Sequence, residues 1–393
     1  MKMKKGASVF GLMLSAAIFA AAQTVETADG VRIVHNQKGG LWKTTPKIKL
    51  IPVLKLGDID TEDEHFVFSR PAAVAVDAAG NIYVLDSQEG RIQKYDKDGK
   101  YLATIGRKGQ GPGEFGAPSG LFLDGGGNLL ISDLMKRQAV LLTAEGRFLK
   151  TIDINGPVRP LMKGGFLAGF PGVGVRVTVG VGGPTQENSF PKKLLRLLDA
   201  SLQTIREFID PVDKGDDMTN AAYNQFHFAV DGADRVIVAF TRQNRLEKHT
   251  LDGRILWRAD RELNYKLGPG RTPGGGVRSG SVSVSMPSFV ACGNGLAVDG
   301  QGRTWVLTYN RQIRDNEMIR ISTSQEGTKR EGNFDARETD LYKLEIFDPE
   351  GVLLGEIPMT TFIDKISIFG DRLFLIDSMR GVCVREFKIE EIG

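Results

Sequence analysis

The sequence predicts an all-β fold, a ring of six four-stranded antiparallel blades, and three observations carry that expectation. A segment recurs: Pro71–Gly106 reads PAAVAVDAAGNIYVLDSQEGRIQKYDKDGKYLATIG, and the chain from Pro118 reads PSGLFLDGGGNLLISDLMKRQAVLLTAEGRFLKTI. Pro71, Asp77, Asn81, Asp86 and Gly99 return as Pro118, Asp124, Asn128, Asp133 and Gly146, each 47 positions on. A fixed period of this size marks an array of small structural units. Each unit also holds four short runs rich in Val, Ile, Leu and aromatics, here Ala73–Val76, Asn81–Asp86, Arg91–Tyr95 and Lys100–Ile105. Runs of that length bounded by Asp/Gly clusters are strands, and Gly80 and Gly99 supply the positive φ that ends their turns. Finally, the two ends complement one another. Ile48–Gly57 (IKLIPVLKLG) has the pattern of an orphan fourth run, while Ile363–Phe387 supplies three runs and stops. A lone meander exposes two apolar faces and has to be wedged between copies of itself. Radial stacking meets that need, so the expectation is a six-bladed β-propeller closed by an N-terminal strand joining the C-terminal blade.

In chain order, Met1–Ala22 reads as a secretory signal peptide: Lys2, Lys4 and Lys5, an apolar stretch from Ala7 to Phe19, then Ala20-Ala21-Ala22 before Gln23. The apolar stretch is short for a membrane span, and the expected location is periplasmic or extracellular. Residues 23–46 are polar with scattered apolar positions and read as an extended arm crossing the propeller, which then fills 47–390. Blades one and two are the repeats quoted above. In blade three, Gly164–Ala168 gives the second strand, Leu194–Leu198 the third and Leu202–Phe208 the fourth. Blade four is FHFAVDGADRVIVAF with NRLEKHTLDGRILWR, where Asp231 takes the slot of Asp77 and Gly253 that of Gly99. Blade five starts GLAVDGQGRTWVLTY and resumes at LYKLEIFDPEGVLLGEI.

The formal net charge is +3, and loss of the three signal-peptide lysines leaves the mature chain near neutral. That balance excludes general nucleic-acid binding, which needs an excess of basic surface. Cys292 and Cys383 are the two cysteines. Blade alignment puts them on different strands of adjacent blades, so they read as buried small apolar residues rather than a bridge.

GRKGQGPGEF before a Pro, the D-x-x-G-N-[IL]-[YL]-[VI]-x-D pattern and RIQKYDKDGK together resemble secreted six-bladed propellers of the NHL-repeat type. The resemblance spans Ile48 to Phe387, tightest in blades one and two. It implies a binding platform for proteins, glycans or RNA, with a minority of enzymes. Those enzymes include peptidyl-hydroxyglycine lyases that use channel histidines with zinc, and gluconolactonase-like hydrolases are related propellers.

The long segments Arg107–Ala117, Pro171–Pro191, Asp210–Asn224, Ala259–Ala291 and Arg311–Asp340 fall at second-to-third-strand turns or at blade crossings. In an up-down meander both classes emerge on one face, where the innermost strands begin, and binding loops grow where a rigid scaffold presents them. Aligning the first inner-strand position of each blade gives a ring of Ala73, Gly120, Pro157, His227, Gly295 and Asp364. A three-histidine zinc site would need partners at Ala73, Gly120 or Gly295, and the sequence supplies none. Arg70, Asn224, Gln225 and Asn294 lie immediately before inner strands, and an Arg with amides at a funnel mouth suits carboxylate or sugar-hydroxyl recognition. Closing backbone hydrogen bonds in the crossings is the competing role for these residues. Arg311–Asp340 carries dense mixed charge, suiting a lid, a partner loop or a solvated hairpin.

Asp77, Asp124, Asp231 and Asp299 recur too regularly for a calcium site, so they read as turn-builders, and Asp86, Asp133 and Asp377 as binding the next loop's backbone. Gly268–Gly276 lacks the Lys-Ser/Thr ending of a phosphate loop, and no Gly-x-Ser-x-Gly elbow occurs. No cofactor is expected. The leading expectation is therefore an exported, monomeric, non-catalytic binding propeller taking a protein, peptide or glycan through Arg70, Asn224, Gln225, His227, Asn294 and Asp364. The alternative is a channel lyase or lactonase-like hydrolase, with His227 as base and Asp364 or Arg70 assisting.

Overall fold

In the computed structural model, the described residues are 23–154, 156–169, 177–180, 183–186, 190–268, 274–278, 281–285, 289–324 and 327–392. The segment Met1–Ala22 and the centre of the Gly268–Gly276 run lie outside them. Six four-stranded meanders follow one another round a central axis. From the inner strand outward, blade one is Pro71–Val76, Ile82–Asp86, Arg91–Tyr95 and Tyr101–Ile105, and blade two is Pro118–Leu123, Leu129–Asp133, Gln138–Leu142 and Phe148–Asp153. Blade three, Val158–Pro160, Phe166–Gly169, Leu195–Leu198 and Thr204–Phe208, keeps the order despite its weak sequence pattern. Blade four begins at Phe226–Val230 and ends at Ile255–Arg261, and blade five runs from Gly293–Val298 to Leu353–Pro358. The sixth sheet orders Lys365–Phe369, Arg372–Asp377, Cys383–Glu391 and, outermost, Ile48–Leu56. Ile48–Leu56 pairs antiparallel with Cys383–Glu391 from Ile48 opposite Glu391 to Leu56 opposite Val384.

Alternation along each strand explains how the blades cohere. In blade one Tyr83 and Leu85 pack with Leu121, Leu129 and Ile131 of blade two, while Ile82 and Val84 pack with Phe374 and Ile376 of blade six. Successive side chains point to opposite faces of a sheet, so each second strand serves two cores at once. Ile82–Asp86, Leu129–Asp133 and Val236–Phe240 are accordingly buried at every position. Equivalent clusters join blades two and three, three and four, four and five, and five and six.

The turns follow the aspartate rule. Asp77 accepts from the Ala79 and Asn81 backbone N–H groups, and its other oxygen accepts from the Asn81 amide and the Tyr83 hydroxyl. Asp124, Asp231 and Asp299 repeat the backbone pair. The second aspartate series differs from expectation. Asp377 does bind the loop that follows it, through Met379, Arg380 and Gly381 N–H. Asp86 instead accepts from Ser69 and Arg70, the residues that precede its own blade. Asp133 does both, holding Gly116 and Ala117 as well as Met135 and Lys136. The carboxylate sits at the end of the second strand beside the start of the first, so the incoming crossing is within its reach. The two crossings share another device: Phe68 lies over Gly57 and Phe115 over Gly106, both glycines at positive φ, where a Cβ would collide with the ring.

The arm takes a different form from the extended crossing expected. Gln23–Ala28 and Val31–Asn36 form a hairpin, and Val31–Asn36 adds in parallel to the outer strand of blade four, making a six-stranded sheet. His35 Nδ1 meets Asp260 Oδ2 at 2.8 Å. From there the chain does pass along blade five to reach blade six, with Leu41 and Trp42 N–H donating to Leu353 and Leu354 carbonyls. Asn36, buried, is the pivot: its amide donates to the Asp260 and Gly351 carbonyls at 3.0 Å, and its oxygen accepts from Leu353 N–H at 2.7 Å. Cys292 and Cys383 are free, buried thiols, and burial pushes the Cys292 thiol up to about 11.

Asn36→Ala leaves those three backbone groups without their partner, so it should destabilise the protein by about 1–3 kcal/mol. Urea unfolding at neutral pH measures this, and an unchanged midpoint would show that the arm does not brace blades four and five.

Candidate ligand-binding site

The inner strands wall a central cavity of about 320 Å³, whose lining includes Ala73, Gly120, Pro157, Arg159, His227, Asn294, Gly295 and Lys365. Register decides which side chains reach it. In blades one, two and four the ring position pairs one residue short of the second strand's end, Ala73 with Leu85, Gly120 with Ser132 and His227 with Ala239, and in blade five, whose second strand runs one residue further to Tyr309, Gly295 pairs with Leu307. Pro157 takes the slot in blade three, its carbonyl accepting from Gly169 N–H. In blade six the residue before Asp377 is Ile376, and its partner is Lys365.

Asp364 is therefore displaced by one position from its predicted place, and a one-residue slip turns a strand side chain to the other side. Its carboxylate accepts from Ser378 N–H and Oγ, both at 2.7 Å, and it is absent from the lining of the His227 cavity. Lys365 stands there instead. Arg159 also escapes the sequence pattern, because the three-residue inner strand of blade three, Val158–Pro160, is too short to align.

The channel is cationic. Arg159 lies over the Phe122 ring at 4.6 Å and within 5.5 Å of Phe228. Burial lowers its pKa to about 10. Lys365 is lowered by burial and then by Arg70, against the opposing pull of Asp364. His227 falls to about 4, by burial first and then by the charges of Lys365 and Arg159. Its imidazole is thus neutral at physiological pH.

A second cavity of about 360 Å³ opens at the mouth, on the loop-bearing face, among Arg70, Ser87, Gln88, Lys108, Ser119, Lys365 and Ser378. Arg70 is exposed there. Of the other predicted residues, Asn294 lines the channel and donates to the Asp364 carbonyl at 3.2 Å. Gln225 accepts from Arg242 Nε at 3.3 Å. Asn224 is buried and fully engaged: it accepts from Val212 N–H and donates to the Val212 and Asn220 carbonyls, tying down the crossing that holds helix Asp217–Tyr223. Its role is the structural one.

The remaining histidines lie elsewhere: His35 on the arm, His65 stacked on Tyr101 at 3.7 Å and His249 bonded to Glu247 at 3.0 Å. Among the described residues no group of three His, Cys, Asp or Glu is placed to hold a metal ion, and no helix is long and apolar enough to cross a membrane.

Because the His227 pKa is depressed on folding, the unfolded chain binds more protons between about pH 6.5 and 4. Stability contributed by neutral His227 is therefore full above the unfolded pKa and falls as pH drops through that window. A tenfold change in proton affinity is worth about 1.4 kcal/mol, so His227→Gln should recover up to about 3 kcal/mol at pH 4 relative to its effect at pH 7.5. Denaturant melts of both proteins at the two pH values measure the difference, and an equal effect at both would contradict the assigned environment.

A family model, DUF5128, described as a 6-bladed beta-propeller, matches residues 52–162. No curated protein matches the chain by sequence. Among solved structures, a predicted exported protein from Bacteroides fragilis is similar over 92% of this chain and 100% of its own, at 10% identity and a TM-score of 0.54. A DUF4221-family protein from Bacteroides vulgatus matches over 88% and 99%, at 10% identity and a TM-score of 0.53. Likeness at that identity speaks to fold alone, and with the six sheets described above it makes this chain an all-β, six-bladed propeller.

Proposed function

We propose that the protein is an exported binding propeller of the NHL-repeat type, whose loop-bearing face takes up an anionic peptide, protein segment or glycan without transforming it. The observation carrying this reading is the mouth cavity, where Arg70, Lys108 and Lys365 meet Ser87, Gln88 and Ser378 and, among the described residues, no carboxylate lines the wall. Around it the described insertions emerge on the same face. Among them are helix Asp217–Tyr223 at a blade crossing, the strand pair Val177–Gly180 and Gly183–Gln186 between the second and third strands of blade three, the pair Arg320–Ser324 and Gly327–Glu331 likewise in blade five, and the pair Gly274–Arg278 and Ser281–Ser285 after blade four. The blade-five insertion is anchored at its base, since Arg311 bonds Glu317 at 2.6 Å and Arg380 of blade six donates to the Glu317 and Asn333 carbonyls. A fixed polar floor ringed by loops suits surface recognition.

The lyase or hydrolase reading takes His227 as base, with Asp364 or Arg70 assisting on the same substrate. Asp364 is committed to Ser378 and His227 lacks a carboxylate to orient it, so general-base catalysis by that pair has little support. Export rests on the basic and apolar pattern of Met1–Ala22.

Thermal shift of the purified chain against acidic peptides and uronate oligosaccharides tests the reading: a binder raises the Tm by mass action, and Arg70→Ala with Lys108→Ala should abolish the rise. Turnover lost on His227→Ala would sink it. Expression with fractionation should give a mature protein starting at or near Gln23 outside the cytoplasm, and an uncleaved cytoplasmic product would contradict export.

A further inference from the structure

Several charged groups buried within the blades are compensated. Arg261 meets Glu345 at 2.5 Å, Lys343 meets Glu345 at 3.0 Å and Lys248 meets Asp231 at 3.1 Å. The channel departs from that rule. Arg159, Lys365 and His227, each half-buried, line one cavity on the central axis, and among the described residues none of the three has a hydrogen bond or ion pair to its side chain. Among the described residues, no Asp or Glu lines the cavity with them. Basic groups gathered in one cavity repel one another, and titratable groups perturbed by their neighbours in a cleft mark a candidate functional site. The rest of the wall is mostly apolar and aromatic, with Phe122, Phe226 and Phe228 beside the cations and Ser119, Asn294 and Ser367 as its other polar members. The volume, about 320 Å³, sits at the small end of ligand pockets.

We infer that the channel is a binding site for a small amphipathic carboxylate, whose acid group Arg159 and Lys365 hold and His227 contacts, while its apolar body packs on Phe122, Phe226 and Phe228. Arg fits a carboxylate bidentately and Lys adds a point charge. The phenyl faces take up the apolar portion. This site is separate from surface recognition by the loops: it requires Arg159 and His227, which the mouth does not contain.

The test is isothermal titration of the mature chain at fixed ionic strength with three probes: 3-phenylpropionate, its neutral amide and inorganic phosphate. The carboxylate should bind, with the amide and phosphate each at least tenfold weaker. Arg159→Met and Lys365→Met should each weaken carboxylate binding at least tenfold, while Lys150→Met, on the exposed outer strand of blade two, leaves it unchanged. The unliganded variants should keep the wild-type circular dichroism spectrum and a cooperative thermal transition, which loss of folding would not allow. In NMR titrations the bound carboxylate should raise the His227 pKa, against the surrounding positive charges of Lys365 and Arg159. Equal binding of acid and amide, phosphate binding as tight as the acid, or undiminished binding by Arg159→Met and Lys365→Met would each overturn the assignment. So would binding lost only with Arg70→Ala and Lys108→Ala, which would place the acid at the mouth.

Discussion

Shared cores between adjacent blades are the constraint on which the rest of this structure depends. Tyr83 and Leu85 face blade two while Ile82 and Val84 face blade six, so no blade owns a core. Burial of apolar surface, worth about 25 cal/mol per Å², is available to each sheet only when both neighbours are present. The stability of one blade is then inseparable from the next, as in any architecture of stacked repeats. Outer edges are the remaining exposure. On blade four the hairpin Gln23–Asn36 covers that edge, and on blade six the outermost strand comes from residues 48–56.

The same packing fixes the inner strands rigidly enough for single side chains to matter. A one-residue difference of register in blade six replaces Asp364 by Lys365 in the channel wall. That exchange changes a basic and acidic pair, suited to proton transfer, into a cluster of positive groups with a neutral imidazole. The chemistry available at the centre is set by pleat parity, the period-2 alternation that also builds the shared cores.

Charge distribution separates scaffold from site. Turn aspartates spend their oxygens on backbone N–H groups, and the buried ion pairs of blades four and five satisfy one another. Arg70 and Lys108 line the mouth cavity, Arg159 lines the channel, and Lys365 lines both, so these cations follow one path from the loop face inward. Electrostatic complementarity of that kind selects ligands more than it stabilises the fold.

Sequence alone determined the blade count, the four-strand unit, the turn aspartates and the face bearing the insertions. Each of these is written in local periodicity and turn chemistry, which neighbouring residues specify among themselves. It also placed His227, because blade four repeats the pattern clearly. Tertiary structure decided the parallel docking of Val31–Asn36 on a strand more than 200 residues away, the reach of Asp86 back to Ser69 and Arg70, the engagement of Asn224 within its own crossing, and the presence of Arg159 and Lys365 in the channel. Those depend on register and on contacts between distant segments. A strand pattern of period two reads the same after a slip of two residues and reverses after a slip of one, so only the assembled sheet could say which side chains face the axis.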